Sequence, residues 1–134
     1  MVAKWFNRGE EYEKEAGELR DGWVAEKVEL LGPSMLPFEV ANSIWRNPNL
    51  SSKEAVSLVR LLLRLSPRLV GLEEETAKAA MTLARKKRLS FYDASYLALA
   101  RSLSLPLVTA DREQLEAARG FANANHISSV EAVL

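Results

Sequence analysis

The chain contains no cysteine among its 134 residues. Disulfides, thiolate catalysis and cysteine-ligated zinc are therefore excluded together. Histidine is nearly as scarce: His126 stands alone with no acid beside it, so a Ser-His-Asp triad lacks its base. Net charge is also missing, with 18 basic against 18 acidic residues, and bulk electrostatics point to no polyanionic partner. No apolar run is long enough to cross a bilayer, because the leucine-rich stretch 58–65 is interrupted by Arg60 and Arg64. Neither a Gly-x-Gly-x-x-Gly nor a Walker sequence occurs, which removes the usual signals for dinucleotide and ATP binding. What is present is ordinary: 48% hydrophobic and 27% charged residues. Such a chain is expected to form one soluble domain spanning residues 1–134, and the expected compartment is the cytoplasm.

Periodicity divides the chain into alternating elements. Helical spacing predicts helices over residues 10–27, from Ser34 and Pro37 to 45, and over 53–65, 73–87, 90–103 and 112–120. Ser51 or Ser52 is the expected N-cap of the third of these, with Glu54 near the capping-box position. The helix over 90–103 is apolar nearly all round and is expected to be buried. Short strands are predicted over 26–31, 68–72, 105–108 and 126–127, with a terminal turn over 130–134. Strands alternating with helices imply a parallel sheet covered on both faces. Trp5, Trp23 and Trp45 read as core or interface packing residues rather than platforms for stacked bases.

Three acids stand out from this frame. Asp111 closes Leu107-Val-Thr-Ala-Asp111, at the carboxyl end of a short strand where a helix begins, the ligand-binding edge of open α/β sheets. Glu39 lies in Leu36-Pro-Phe-Glu-Val-Ala-Asn42, and Asp93 in Ser90-Phe-Tyr-Asp-Ala-Ser-Tyr-Leu-Ala98. Carboxylates in apolar company are costly to desolvate unless a cation or hydrogen-bond donors compensate them. Three such acids suggest one divalent-metal site, although Asp111 also suits an N-cap and Asp93 a helix's first turn. Thr109, two residues before Asp111, is placed to orient that carboxylate or simply to end a strand. The run Arg85, Lys86, Lys87 and Arg88 complements a helix C-terminus, with contact to an RNA backbone as the sharper alternative.

Together, the segments 33–42, 89–100 and 106–111 resemble the three internal motifs of PIN domains, and within that family the VapC toxins of VapBC toxin–antitoxin pairs. The resemblance runs from about residue 2 to 133. It implies a three-layer α/β/α PIN-like domain with a mainly parallel central sheet. It also implies a Mg²⁺- or Mn²⁺-dependent endoribonuclease acting on RNA, forming a homodimer and restrained by a cognate antitoxin. Asp93 and Asp111 would be direct metal ligands, and Glu39 a ligand or the residue that positions the attacking water. One departure stands against the matches. Such toxins open with a buried strand ending in Asp-x-Ser, and the sequence begins inside the stretch that follows it, at Val2-Ala-Lys-Trp-Phe6. The first strand is thus expected to be largely missing, with a start codon further upstream as the explanation. The alternative expectation is a catalytically impaired PIN-like protein that binds RNA or antitoxin without its first acidic ligand.

Overall fold

The computed structural model describes all residues, Met1–Leu134, and they group into two compact units. The first comprises residues 1–70 with Leu134, and the second residues 71–133.

The first unit begins with a 3₁₀ turn, Val2–Trp5, followed by helix α1, Glu13–Val24. Trp5 stacks on Trp23 with ring centroids 5.6 Å apart, and its indole nitrogen donates to the Ala16 carbonyl at 2.8 Å. An indole N–H buried without an acceptor would cost the full desolvation of that group, so the bond fixes the ring's orientation. Helix α1 ends in a Schellman motif. Glu26 takes the left-handed conformation (φ 56°) and donates to Trp23 O, while Lys27 donates to Gly22 O.

That motif explains a difference from the sequence reading, which put a strand over 26–31. Residues 25–27 are spent on ending the helix, so the strand forms later, as β1, Leu31–Pro33. It pairs in parallel with β2, Arg68–Val70, in the register Leu31↔Arg68, Gly32↔Leu69 and Pro33↔Val70. Ser34, expected as a helix cap, instead extends this ladder by donating its N–H to Val70 O at 2.9 Å.

Between the strands lie α2, Leu36–Arg46, and α3, Ser52–Arg64. Helix α2 buries Leu36, Val40 and Ile44, one residue per turn along a single face. Helix α3 opens with a complete capping box. Glu54 N donates to Ser51 Oγ at 3.2 Å, and Ser51 N donates to Glu54 Oε2 at 2.7 Å. Leu62 is fully buried and belongs to this unit's own core.

The second unit contains α4, Glu74–Lys87; α5, Phe91–Ser102; β3, Leu107–Thr109; α6, Arg112–Ala117; β4, Ala124–His126; and a 3₁₀ turn, Ile127–Ala132. Its core is Ala80, Leu83, Ala84, Ala94, Leu97, Ala98, Ala117 and Ala118. Alanine predominates there, which lets α4 and α5 approach closely and leaves little room for larger side chains. Helix α5 buries Ala94, Ser95 and every residue from Leu97 to Ala100, as its all-round apolar character implies. Strands β3 and β4 run parallel, with Leu107 opposite Ala124 and Thr109 opposite His126. No helix of the chain is long and apolar enough to cross a membrane.

Candidate active site

Asp93 and Asp111 lie in the same unit, at the start of two different helices. Ser90 caps α5, its hydroxyl accepting the Asp93 N–H at 3.1 Å. Asp93 thus holds the station on α5 that Glu54 holds on α3. The outcome for the two carboxylates differs. Glu54 reaches back to its cap residue, and hydrogen bonds from the Ser51 backbone and then its side chain hold the Glu54 carboxyl below the usual range. The shorter Asp93 side chain makes no such return, and its half-buried carboxylate takes neither a hydrogen bond nor an ion pair.

Asp111 is the N-cap of α6. Its Oδ1 accepts from Glu113 N at 2.8 Å and from Gln114 N at 3.2 Å, so the structural role of a capping Asp is fulfilled. Both bonds fall on one oxygen, and Oδ2 carries none. The carboxylate is exposed. Thr109, buried at the end of β3, accepts the Asp111 N–H at 3.0 Å and donates its hydroxyl proton to Gln114 Oε1 at 2.7 Å. Gln114, also buried, donates from Nε2 to the main-chain oxygen of Asp93 at 3.0 Å. A continuous chain of hydrogen bonds therefore joins the two acids.

Gln114 was not singled out from the sequence. The available signal was Asp111-x-x-Gln114, the spacing of an N-cap and its reciprocating partner.

Glu39 belongs to the other unit, exposed in the first turn of α2. It stands near the Met1 amino group. Burial, and then the Lys4 charge, push that amine below its ordinary range, while Glu10 and Glu39 pull it back up. Neither unit by itself gathers three His, Asp or Glu side chains at ion-binding range. Arg85, Lys86 and Lys87 end α4 opposite the acids of its first turn, and Arg88 follows in the left-handed conformation. All four are exposed, and none is ion-paired.

The donors fit a hard cation. The Asp93 carboxylate and Asp111 Oδ2 supply only oxygens, and Mg²⁺ is held by one or two carboxylates, with waters and phosphate completing its shell. A zinc ligand set is absent, since His126 caps the terminal 3₁₀ turn, with Nδ1 accepting from Ser128 N.

The PIN domain family pattern matches residues 2–120. The chain is 30% identical over 100 residues to a protein of Pyrobaculum aerophilum named exonuclease VapC9, covering 75% of each. It is 32% identical over 107 residues to ribonuclease VapC3 of the same organism, covering 77% of this chain and 82% of that one. Among solved structures it is similar to PAE2754 from Pyrobaculum aerophilum, with a TM-score of 0.65 and 27% identity over 91% of this chain and 88% of the other. Parallel strand pairs among helices, acids where strands give way to helices, and relatives matched over three quarters of their length converge: the chain belongs to the PIN domain family.

Proposed function

We propose that this protein is a divalent-metal-dependent endoribonuclease and the toxin of a type II toxin–antitoxin pair. The observation that carries this reading is the hydrogen-bonded link between Asp93 and Asp111, which leaves the Asp93 carboxylate and Asp111 Oδ2 without partners. The relatives' names, one an exonuclease and one a ribonuclease, support nuclease chemistry. The family match runs through both units and supports treating residues 1–134 as one domain.

Asp93 and Asp111 would hold Mg²⁺ or Mn²⁺. When bound, such an ion supplies charge neutralisation at the phosphodiester and a more acidic water. Thr109 holds the Asp111 backbone, and the α6 N–H groups hold one of its oxygens, so the other is presented in a fixed direction. Glu39 is assigned the role of further ligand or water-positioning base on the family resemblance. Arg85, Lys86, Lys87 and Arg88 would neutralise RNA phosphates, and their freedom from ion pairs supports that role.

The partners proposed are an RNA substrate, an antitoxin protein and a second copy of the chain. Helices α2 and α3 expose Phe38 (79%), Trp45 (77%) and Leu63 (66%), an apolar outlay suited to an interface. On α3 the outward apolar residues are Val56, Leu61 and Leu63, whereas Leu62 is wholly buried in its own unit.

The alternative reading is an RNA- or antitoxin-binding protein with impaired catalysis. Cleavage of single-stranded RNA with Mn²⁺ or Mg²⁺ separates the two. The nuclease reading expects cleavage that stops with EDTA and in Asp93→Asn and Asp111→Asn. RNA binding without cleavage at any metal concentration would establish the second.

A further inference from the structure

The residue spacing at the start of α6 is that of a capping box, yet the box is not closed. In the usual arrangement the side chain at the third helical position returns to the backbone N–H of the cap residue. Here that N–H, on Asp111, is already taken by Thr109 Oγ1 at 3.0 Å. The Gln114 carboxamide is therefore released from the cap. Its oxygen accepts from the Thr109 hydroxyl at 2.7 Å, and its nitrogen crosses to the Asp93 carbonyl at 3.0 Å. Its backbone N–H meanwhile donates to Asp111 Oδ1 at 3.2 Å.

We propose that Gln114 is a positioning residue that sets the spacing of the Asp93 and Asp111 carboxylates for a divalent cation. The inference rests on the nuclease reading of those two acids. A carboxamide has the chemistry this place demands. It must accept from Thr109 and donate to Asp93 O at once, which neither a hydrocarbon nor an ionised carboxylate of the same reach does. Burial adds to the constraint. At 7% exposure the side chain has little access to water as a substitute partner, which strengthens its hold on both bonds. Gln114 touches the Asp93 backbone and not its carboxylate. Its side chain therefore acts on the first turn of α5 through the Asp93 carbonyl, and on Asp111 through Thr109, whose hydroxyl it holds against the Asp111 N–H.

The test uses the whole chain and Mn²⁺ alone as probe, with binding measured by calorimetry and cleavage measured against Mn²⁺ concentration. Gln114→Met keeps the length and volume but removes both polar groups. Gln114→Glu keeps the acceptor for Thr109 and loses the donor to Asp93 O. Each is expected to weaken Mn²⁺ binding about tenfold or more, within the range typical of groups that orient metal ligands. Each should also raise the Mn²⁺ concentration needed for half-maximal cleavage, while the rate at saturating Mn²⁺ stays within a few-fold of the parent. Ser95→Ala is the control for a merely structural loss. It removes another buried hydroxyl of this unit, bonded to Phe91 O at 2.6 Å, and should leave Mn²⁺ affinity unchanged.

Parent-like Mn²⁺ affinity in either folded Gln114 variant would overturn the proposal. So would an equal loss of affinity in Ser95→Ala. If Gln114→Met does not fold, Gln114→Glu carries the test, because it retains one of the two bonds. Asp93→Asn separates this inference from the reading beneath it. Unchanged Mn²⁺ binding in Asp93→Asn sinks the site itself, whereas loss there with none in the Gln114 variants sinks only the role of Gln114.

Discussion

Asn7 donates from its side-chain amide to the Ser43 hydroxyl at 2.8 Å, joining the turn after Trp5 to the middle of α2. The same amide nitrogen donates to Ala3 O at 3.2 Å, and its oxygen accepts from Asn47 Nδ2 at 3.0 Å. Every polar group of this buried side chain is thus satisfied. Ser43 lies one helical turn beyond Glu39, so the bond steadies the stretch of α2 that carries that acid. Asn7→Leu should cost about 1–3 kcal/mol, because it leaves Ser43 and Asn47 to find other partners. Urea unfolding measures this, and an unchanged midpoint would mean that water replaces the lost bonds without loss.

The acid pair predicts a stability gain on metal binding. At a hundredfold excess over Kd, Mn²⁺ should stabilise the fold by about 2.7 kcal/mol. Asp93→Asn and Asp111→Asn should each abolish most of that gain in thermal denaturation. Asp111→Asn retains a capping oxygen, so its unfolding temperature without metal should move little. A full metal response in both variants would show that the ion sits elsewhere.

At Arg88, stability and RNA affinity should move in opposite directions. Its left-handed backbone, at φ 56°, follows the last turn of α4, where Leu89 N donates to Ala84 O at 3.0 Å. A side chain costs about 1 kcal/mol in that conformation, a cost that glycine avoids. Arg88→Gly should therefore stabilise the fold while weakening RNA binding and lowering its salt dependence. Thermal denaturation and filter binding at two salt concentrations check both signs. RNA affinity unchanged by this variant and by Lys86→Ala would assign the basic run to the helix dipole alone.

Glu54 gives the pH dependence. Its hydrogen bonds from Ser51 hold the folded-state carboxyl below the unfolded value. A depressed carboxyl contributes stability in full above the unfolded pKa, and that contribution disappears as pH falls through the lower folded value. Glu54→Gln removes this titration, so the acid limb of the stability–pH curve should become shallower. Identical limbs in urea titrations at a series of acidic pH values would show that the capping box is not formed in solution.

The exposed apolar residues of α2 and α3 predict self-association. Leu63→Lys and Trp45→Lys should convert a dimer to monomer in light scattering at micromolar concentration. As exposed positions, they should alter the monomer's own stability by no more than about 0.5 kcal/mol. A monomeric parent protein would remove the basis of this prediction.

Local chemistry alone made much of this legible in the residues. The Ser51–Glu54 box, the buried α5, the parallel pairing, the first-turn acid Asp93 and the capping acid Asp111 all follow from spacing and from side-chain type. These features depend on neighbours a few residues away, and short-range hydrogen bonding and periodicity report on that distance. Three others do not. The strand over 26–31 gave way to Leu31–Pro33 because the end of α1 took up the backbone groups it needed. Leu62 turned inward and Leu63 outward because the packing of α2 against α3 selects one face of an evenly leucine-rich helix. Gln114 acquired its role only where α6 meets the first turn of α5, across 21 residues of chain. A glutamine buried without partners would be destabilising, and its two partners come from different elements. The need for them is a property of the residue; their supply belongs to the fold.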